Sequence, residues 1–281
     1  MQNRKPELPD YTGQTIRGYH LIEQVAKGSQ GVVYRAEASN GRIVAVKILP
    51  PEYASNQEFM KRFEGETDAL KRLGGHPHIA SLYDYWSDEH GAMLVLRWIG
   101  GGSLSALLRR EGALSLERIG SLVRQLTSGL EAAHSVGVIH RDMKPENVLL
   151  DENGNAIIID FGIARRVDAS TTQPGTWMGS PAYLAPEQLL SLPPTAQTDI
   201  YALGVIIYEM LIGEHPYAGL PPNQIMMRVI RQPLPDVRER RPELSSAIND
   251  FLQKATTRER EDRYKSMHSL WAAYFLAAGL V

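Results

Sequence analysis

Near residue 100 the hydrophobic pattern of this 281-residue chain changes period, from the alternation of strands to the three-and-four spacing of helices, so two unlike parts are expected. In the front part, Tyr19 to Ala26, Gly31 to Ala38 and Arg42 to Leu49 are rich in β-branched and aromatic residues. Asn40-Gly41 between the last two supplies the turn of a tight hairpin. Two more strands are expected near Ile79 to Tyr85 and Ala92 to Trp98. Phe59, Phe63, Leu70 and Leu73 recur at helical spacing among charges, so Gln57 to Leu73 reads as one amphipathic helix interrupting the strands.

Gly100-Gly101-Gly102 reads as a hinge at the start of the rear part, with an ordinary loop as the plainer alternative. Leu116 to His134 repeats Leu116, Ile119, Val123, Leu126 and Leu130 on one helical face. Asp199 to Ile212 is apolar enough to be a buried helix, and Asp199 at its start is a natural N-cap. Leu270 to Val281 reads as a last packed helix. Val148 to Leu150 and Ala156 to Ile159 flank Asp151-Glu152-Asn153-Gly154 as a second hairpin, which would set Asn147 and Asp160 side by side at its far end. The fold class is therefore α+β, with an extension over 1–18, a β-rich part with one key helix over 19–99, and a mainly helical part over 100–281.

Lysine and arginine total 30 against 32 acidic residues, so no overall basic field exists for nucleic acid. The absence of cysteine excludes disulfides, thiolate metal sites and a thiol nucleophile, and suits a reducing, cytoplasmic setting. No window approaches the roughly 18 to 20 apolar residues of a membrane span. Met1 to Asp10 lacks the apolar core of a secretory signal.

Three signatures then occur in order within about fifty residues: His140-Arg141-Asp142-Met143-Lys144-Pro145-Glu146-Asn147, Asp160-Phe161-Gly162 and Ala185-Pro186-Glu187. This series resembles the eukaryotic-type (Hanks-type) serine/threonine protein kinase family, over about Tyr19 to Leu276. The runs Asp160 to Arg165 and Pro186-Glu187-Gln188 are similar in texture to its bacterial members. The resemblance implies a bilobal fold, and because the last helix runs directly to the final residue a catalytic domain cut from something longer is expected.

Phosphoryl transfer needs a phosphate cover, a cation, oxygen ligands for a metal ion and a base. The resemblance assigns the cover to Ala26-Lys27-Gly28-Ser29-Gln30-Gly31-Val32-Val33, with Val33 over the base and Val25, Ala45, Leu96, Ile99 and Leu149 as further nucleotide contacts. Ala26 departs from the family's three-glycine pattern, so a stiffer loop is expected. Lys47 lies in the apolar run Val44-Ala45-Val46, where an ammonium needs a partner. Glu66, at the edge of the helix's apolar face, is preferred over Glu64, and a solvated surface glutamate is the alternative for either.

By the same resemblance Asp142 is the base, Lys144 contacts the transferred phosphate as in serine/threonine kinases, and Ser180 contacts both. Asn147 and Asp160 would be ligands of Mg²⁺, with Mn²⁺ as a substitute. His140 and Phe161 would pack with Leu70 and Leu82 in a stack, so the histidine is a core residue, and no zinc site is expected. Asp199 would anchor the backbone at His140 and Arg141, and Glu187 would pair with Arg263.

Residues 160–187 form a long aperiodic stretch, similar to an activation loop. Autophosphorylation is expected at Thr171, Thr172 or Thr176, with Arg141 receiving the phosphate, and Pro181 and Tyr183 would line the path of the substrate. The implied activity is ATP-dependent phosphorylation of serine or threonine in proteins, with a homodimer serving phosphorylation in trans. A nucleotide-binding pseudokinase, a small-molecule kinase and a purely structural module are the alternatives. Lys47, Glu66, Asp142, Asn147 and Asp160 together argue against the first, and Lys144 with Gly179 to Glu187 against the second.

Overall fold

A computed structural model describes residues 8–28, 31–54, 56–88, 90–161 and 181–280. They form two compact units, the first comprising the described residues up to Gly75 and Ala80–Trp98, the second His76–Ile79 and those from Ile99 onward.

The first unit is a six-stranded antiparallel sheet with strand order β1-β2-β3-β4-β6-β5. Its strands are β1 (Thr15–Ile16), β2 (Tyr19–Gly28), β3 (Gly31–Ala38), β4 (Ile43–Ile48), β5 (Leu82–Asp88) and β6 (Gly91–Arg97). Pairing of Tyr34 with Val46 and Ala36 with Val44 puts these residues on one face. There they pack with Leu21, Ile48, Trp86, Met93 and Val95 in a single core cluster. The opposite face carries Val33 opposite Lys47 and Ala45 opposite Leu96.

Tyr11 and Ile16 belong to that core, although the segment holding them was expected to be an extension. Their backbone explains it: Thr15 pairs with His20, Gly13 N donates to Leu21 O at 2.7 Å, and Tyr11 N donates to the Tyr34 hydroxyl at 3.0 Å. The packed unit therefore begins ahead of Tyr19.

Helix α1 (Pro51–Ala54) is a single turn, and α2 (Gln57–Arg72) follows it. The Asn56 side chain caps α2 by accepting from Phe59 N at 3.0 Å. Phe59 and Phe63 are buried, and the Phe63 ring meets Tyr85 edge-on at 5.8 Å. Tyr85 pairs with Leu94, which pairs with Lys47, so α2 covers the sheet face from which Lys47 projects.

The strand expected from Ile79 starts instead at Leu82 and runs to Asp88. Ile79 is buried in the second unit, where it forms an isolated parallel bridge with Ile158, and Ile158 N donates to His78 O at 2.9 Å.

The second unit holds α3 (Leu104–Glu111), α4 (Leu116–Ser135), the hairpin β7 (Val148–Leu150) and β8 (Ala156–Ile158), then α5 (Pro186–Leu189), α6 (Ala196–Ile212), α7 (Pro222–Arg231), α8 (Ser246–Ala255) and α9 (Met267–Ala277). Helix α4 buries Ile119, Val123, Leu126 and Leu130 as its periodicity requires. Helix α6 is buried almost all round. It begins three residues earlier than expected, with Thr195 as N-cap, so Asp199 sits inside the first turn and its carboxylate has a different use.

Two residues of the glycine triplet are tied to β7. Gly101 N donates to Leu150 O at 3.0 Å, Leu150 N donates to Gly102 O at 2.8 Å, and a Cβ at Gly101 would lie 2.4 Å from the Leu150 oxygen. Glycine is needed there for close backbone approach to β7. Among the described residues no helix is long and apolar enough to cross a membrane.

Candidate active site

In the second unit the β7–β8 hairpin carries two expected site residues to one end. Val148 pairs with Ile158, and Ile159 N donates to Asn147 O at 3.0 Å, which brings Asn147 beside the chain leading into Asp160. Asn147 Nδ2 donates to the Asp142 backbone oxygen at 2.8 Å and to Asp142 Oδ2 at 3.3 Å. With its NH₂ turned to Asp142, Oδ1 is the atom that can face a cation. Lys144 Nζ donates to Asp142 Oδ2 at 3.1 Å, so base and cation candidates are already paired.

The backbone is strained both beside Asp142 and at Asp160, just after β8. Arg141 (φ 66°) and Asp160 (φ 56°) both occupy the left-handed region, at a cost of about 1–3 kcal/mol each, and surrounding bonds must hold them there. Asp199, with no exposed surface, supplies two such bonds: Oδ2 accepts from His140 N and Oδ1 from Arg141 N, each at 2.8 Å. It also receives His134 Nε2 at 2.8 Å. The anchoring contacts implied by the resemblance are thus the ones observed, and the N-cap position belongs to Thr195, whose N–H donates to Thr198 Oγ1 at 3.0 Å.

His140 is fully buried, and burial pushes its imidazole below the usual value despite the nearby Asp199 carboxylate. Nε2–H donates to Ile159 O at 2.8 Å, which leaves Nδ1 to accept Asp142 N at 3.3 Å. The neutral tautomer is thereby defined, and its ring packs on Phe161 with centroids 4.7 Å apart. Leu70 and Leu82 are buried in the first unit.

Beyond the catalytic loop, Pro181–Tyr183 forms a short 3₁₀ turn. His215 Nε2–H donates to Ala182 O at 3.0 Å, and the Tyr183 hydroxyl donates to Glu209 Oε2 at 2.5 Å. Burial pushes the Glu209 carboxyl up to about 7, against the pull of the Tyr183 hydrogen bond. Sequence reasoning missed this contact; the available signal was a lone carboxyl inside the apolar α6 run Ile206-Ile207-Tyr208-Glu209-Met210-Leu211.

In the first unit Lys47 is 8% exposed, set between Val33 and Leu94 in register. Glu66 is half-buried on α2, one turn beyond Phe63. Val33, Ala45 and Leu96 are half-buried on the Lys47 face, and Val25 is exposed. Ala26 and Lys27 lie within β2, paired with Val33 and Val32.

The Val32 side chain points into the core on the opposite face, 2% exposed, so its backbone is the part that can meet a ligand. Gly31 has φ 125°, and a Cβ there would lie 2.2 Å from Ile48 O, whereas a Cβ at Gly28 would meet nothing within 4 Å. Ile99 and Leu149 belong to the second unit, the former buried and the latter half-buried on β7. Ser29, Gln30, Gly162, Thr171, Thr172, Thr176 and Ser180 lie outside the described residues.

Among the described residues no three histidine, aspartate or glutamate side chains gather as a metal site. Asn147 and Asp160 are hard oxygen donors suited to Mg²⁺, which takes few protein ligands and completes its shell with phosphate and water oxygens, so the residues present fit that ion.

The protein kinase domain family matches residues 19–275. The serine/threonine-protein kinase PknA of Mycobacterium tuberculosis is 37% identical over 262 residues, covering 90% of this chain and 60% of PknA. The probable serine/threonine-protein kinase PknB of Lactococcus lactis is 31% identical over 255 residues, covering 90% of this chain and 40% of PknB. The chain thus spans 60% or less of the length of these relatives. Among solved structures, the Mycobacterium tuberculosis PknI kinase domain superposes with a TM-score of 0.75 at 25% identity, covering 95% of this chain and 98% of that one. The α+β architecture is the protein kinase fold, and the chain belongs to the protein kinase domain family.

Proposed function

We propose that this chain transfers the γ-phosphoryl group of ATP to serine and threonine hydroxyls of proteins. The observation that carries this reading is the Lys144–Asp142 pair at 3.1 Å, on a loop whose strained backbone is fixed by Asp199. Asp142 orients the acceptor hydroxyl and takes its proton as the phosphoryl group moves. Lys144 sets a positive charge beside that base, where the incoming phosphoryl oxygens need one.

Asn147 Oδ1 and the Asp160 carboxylate would hold Mg²⁺, or Mn²⁺ in its place. When bound, the ion neutralises charge on the nucleotide phosphates. Lys47 is assigned to the α- and β-phosphates with Glu66 as its partner, and the backbone from Ala26 to Val33 to the phosphate cover. Val25, Val33, Ala45, Leu96, Ile99 and Leu149 are assigned to the base and sugar, and Ser180 to Asp142 and Lys144. Residues up to Ile99, with Leu149 and the ion ligands Asn147 and Asp160, would thus serve the nucleotide, and Asp142, Lys144 and Ser180 the acceptor. The names of PknA and PknB as serine/threonine-protein kinases support the choice of acceptor.

Autophosphorylation at Thr171, Thr172 or Thr176, in trans within a homodimer and with Arg141 as phosphate receiver, is part of the same proposal, as is work in the cytoplasm, where ATP is available. The test is Mg²⁺-ATP with one basic peptide made in serine, threonine and tyrosine versions. Phosphate on the first two is expected. Phosphate on tyrosine alone would overturn the acceptor assignment, and none on any peptide or on the protein itself would overturn the transfer reading.

A further inference from the structure

Resting on the transfer reading above, we infer that Gln188 is a positioning residue for Asp142. The peptide joining Arg141 to Asp142 is held at both of its polar atoms. Its carbonyl oxygen accepts from Gln188 Nε2 at 2.8 Å, and its N–H donates to His140 Nδ1 at 3.3 Å. The preceding N–H, that of Arg141, is taken by Asp199 at 2.8 Å.

A left-handed Arg141 is intrinsically unfavourable, so the plane of this peptide depends on being held, and these partners hold it. Rotation of the plane would swing the Cα–Cβ direction of Asp142 and displace its carboxylate.

The far end of Gln188 is equally fixed. Its Oε1 accepts from Ala185 N at 3.0 Å, closing the first turn of α5, and the neighbouring Glu187 is locked to Arg263. Both polar atoms of this half-buried amide are therefore used, one on α5 and one on the peptide before the base. Glutamine fits because it offers a donor and an acceptor together. A glutamate would keep the bond to Ala185 N and set a carboxylate against the Arg141 carbonyl until it is protonated.

The test compares Gln188→Met and Gln188→Glu with wild type. In Gln188→Met, kcat is expected to fall about tenfold to a hundredfold, with KM for ATP within about twofold. In Gln188→Glu, kcat relative to wild type is expected to rise as pH falls from 8 to 5.5, because the protonated carboxyl regains a donor to Arg141 O; the Gln188→Met ratio should stay flat. A Gln188→Met kcat within twofold of wild type would overturn the inference. So would losses equal in both variants at every pH and matched by lower Tm, which mark general packing. A second readout needs no activity: amide exchange at Asp142 should quicken at least about tenfold in Gln188→Met with the β7–β8 amides unchanged. Unchanged exchange at Asp142 overturns the positioning role, whereas an inert wild type with that quickened exchange overturns the transfer reading alone.

Discussion

Arg263 grips Glu187 with two parallel hydrogen bonds, Nη1 to Oε1 at 2.8 Å and Nη2 to Oε2 at 2.9 Å, across 76 residues of sequence and with both side chains buried. Every guanidinium nitrogen is engaged: Nε donates to Thr257 O, Nη1 also to Gln197 O, and Nη2 also to Arg258 O. Arg263→Ala would strand a buried carboxylate, and we expect a loss of about 3–5 kcal/mol in urea denaturation. A loss under about 1 kcal/mol would mean that the pair is dispensable.

Glu187 and Glu209 titrate in opposite senses. Burial pushes the Glu187 carboxyl up, but Arg263 more than offsets this and holds it below the usual 4.5. Its contribution is therefore complete above pH 4.5 and is lost as pH falls through the depressed value. Glu209 is raised from 4.5 to about 7, so its contribution is complete below pH 4.5 and is lost as pH rises to about 7. Urea melts at pH 5 and 7.5 isolate the second effect. Wild type should lose on the order of 2–3 kcal/mol between them from this group, and Glu209→Gln should not. Parallel behaviour of the two proteins would refute the assignment.

Gly28 and Gly31 should separate. Gly31→Ala forces a side chain against Ile48 O at a positive φ, so unfolding stability should fall by about 1–3 kcal/mol. Gly28→Ala meets open space and should leave Tm nearly unchanged, so any rise in its KM for ATP reports on the nucleotide. Equal melting losses in both variants would contradict this division.

The elements with a long hydrophobic period were legible from sequence: α2, α4 and the buried α6 lie where their spacing puts them, within a few residues. So was the hairpin that sets Asn147 beside the chain entering Asp160. Features that depend on a distant partner were not. Tyr11 joins the core through contacts with the distant Tyr34 and His90, and β1 has only two residues, so neither leaves a periodic trace. Ile79 reads as strand because it is β-branched, yet its bridge is to Ile158 in the second unit. Asp199 looks like a cap from local context alone; the resemblance, and not the local pattern, points to the anchor that its contacts with His140 and Arg141 form. Gln188 carries no local signal of the carbonyl it binds, and the lone carboxyl of Glu209 in an apolar run does not say which hydroxyl meets it.

The most direct test of the central claim is transfer of labelled γ-phosphate from Mg²⁺-ATP to a serine-containing protein by wild type beside Asp142→Asn. Asparagine preserves size and leaves the Asp142 backbone bonds to Asn147 and His140 in place while removing the base. Incorporation by wild type that falls about 10²–10⁴-fold in the variant, at unchanged Tm, is the predicted result. Equal incorporation by both proteins would contradict the account, since the transfer would then not depend on Asp142.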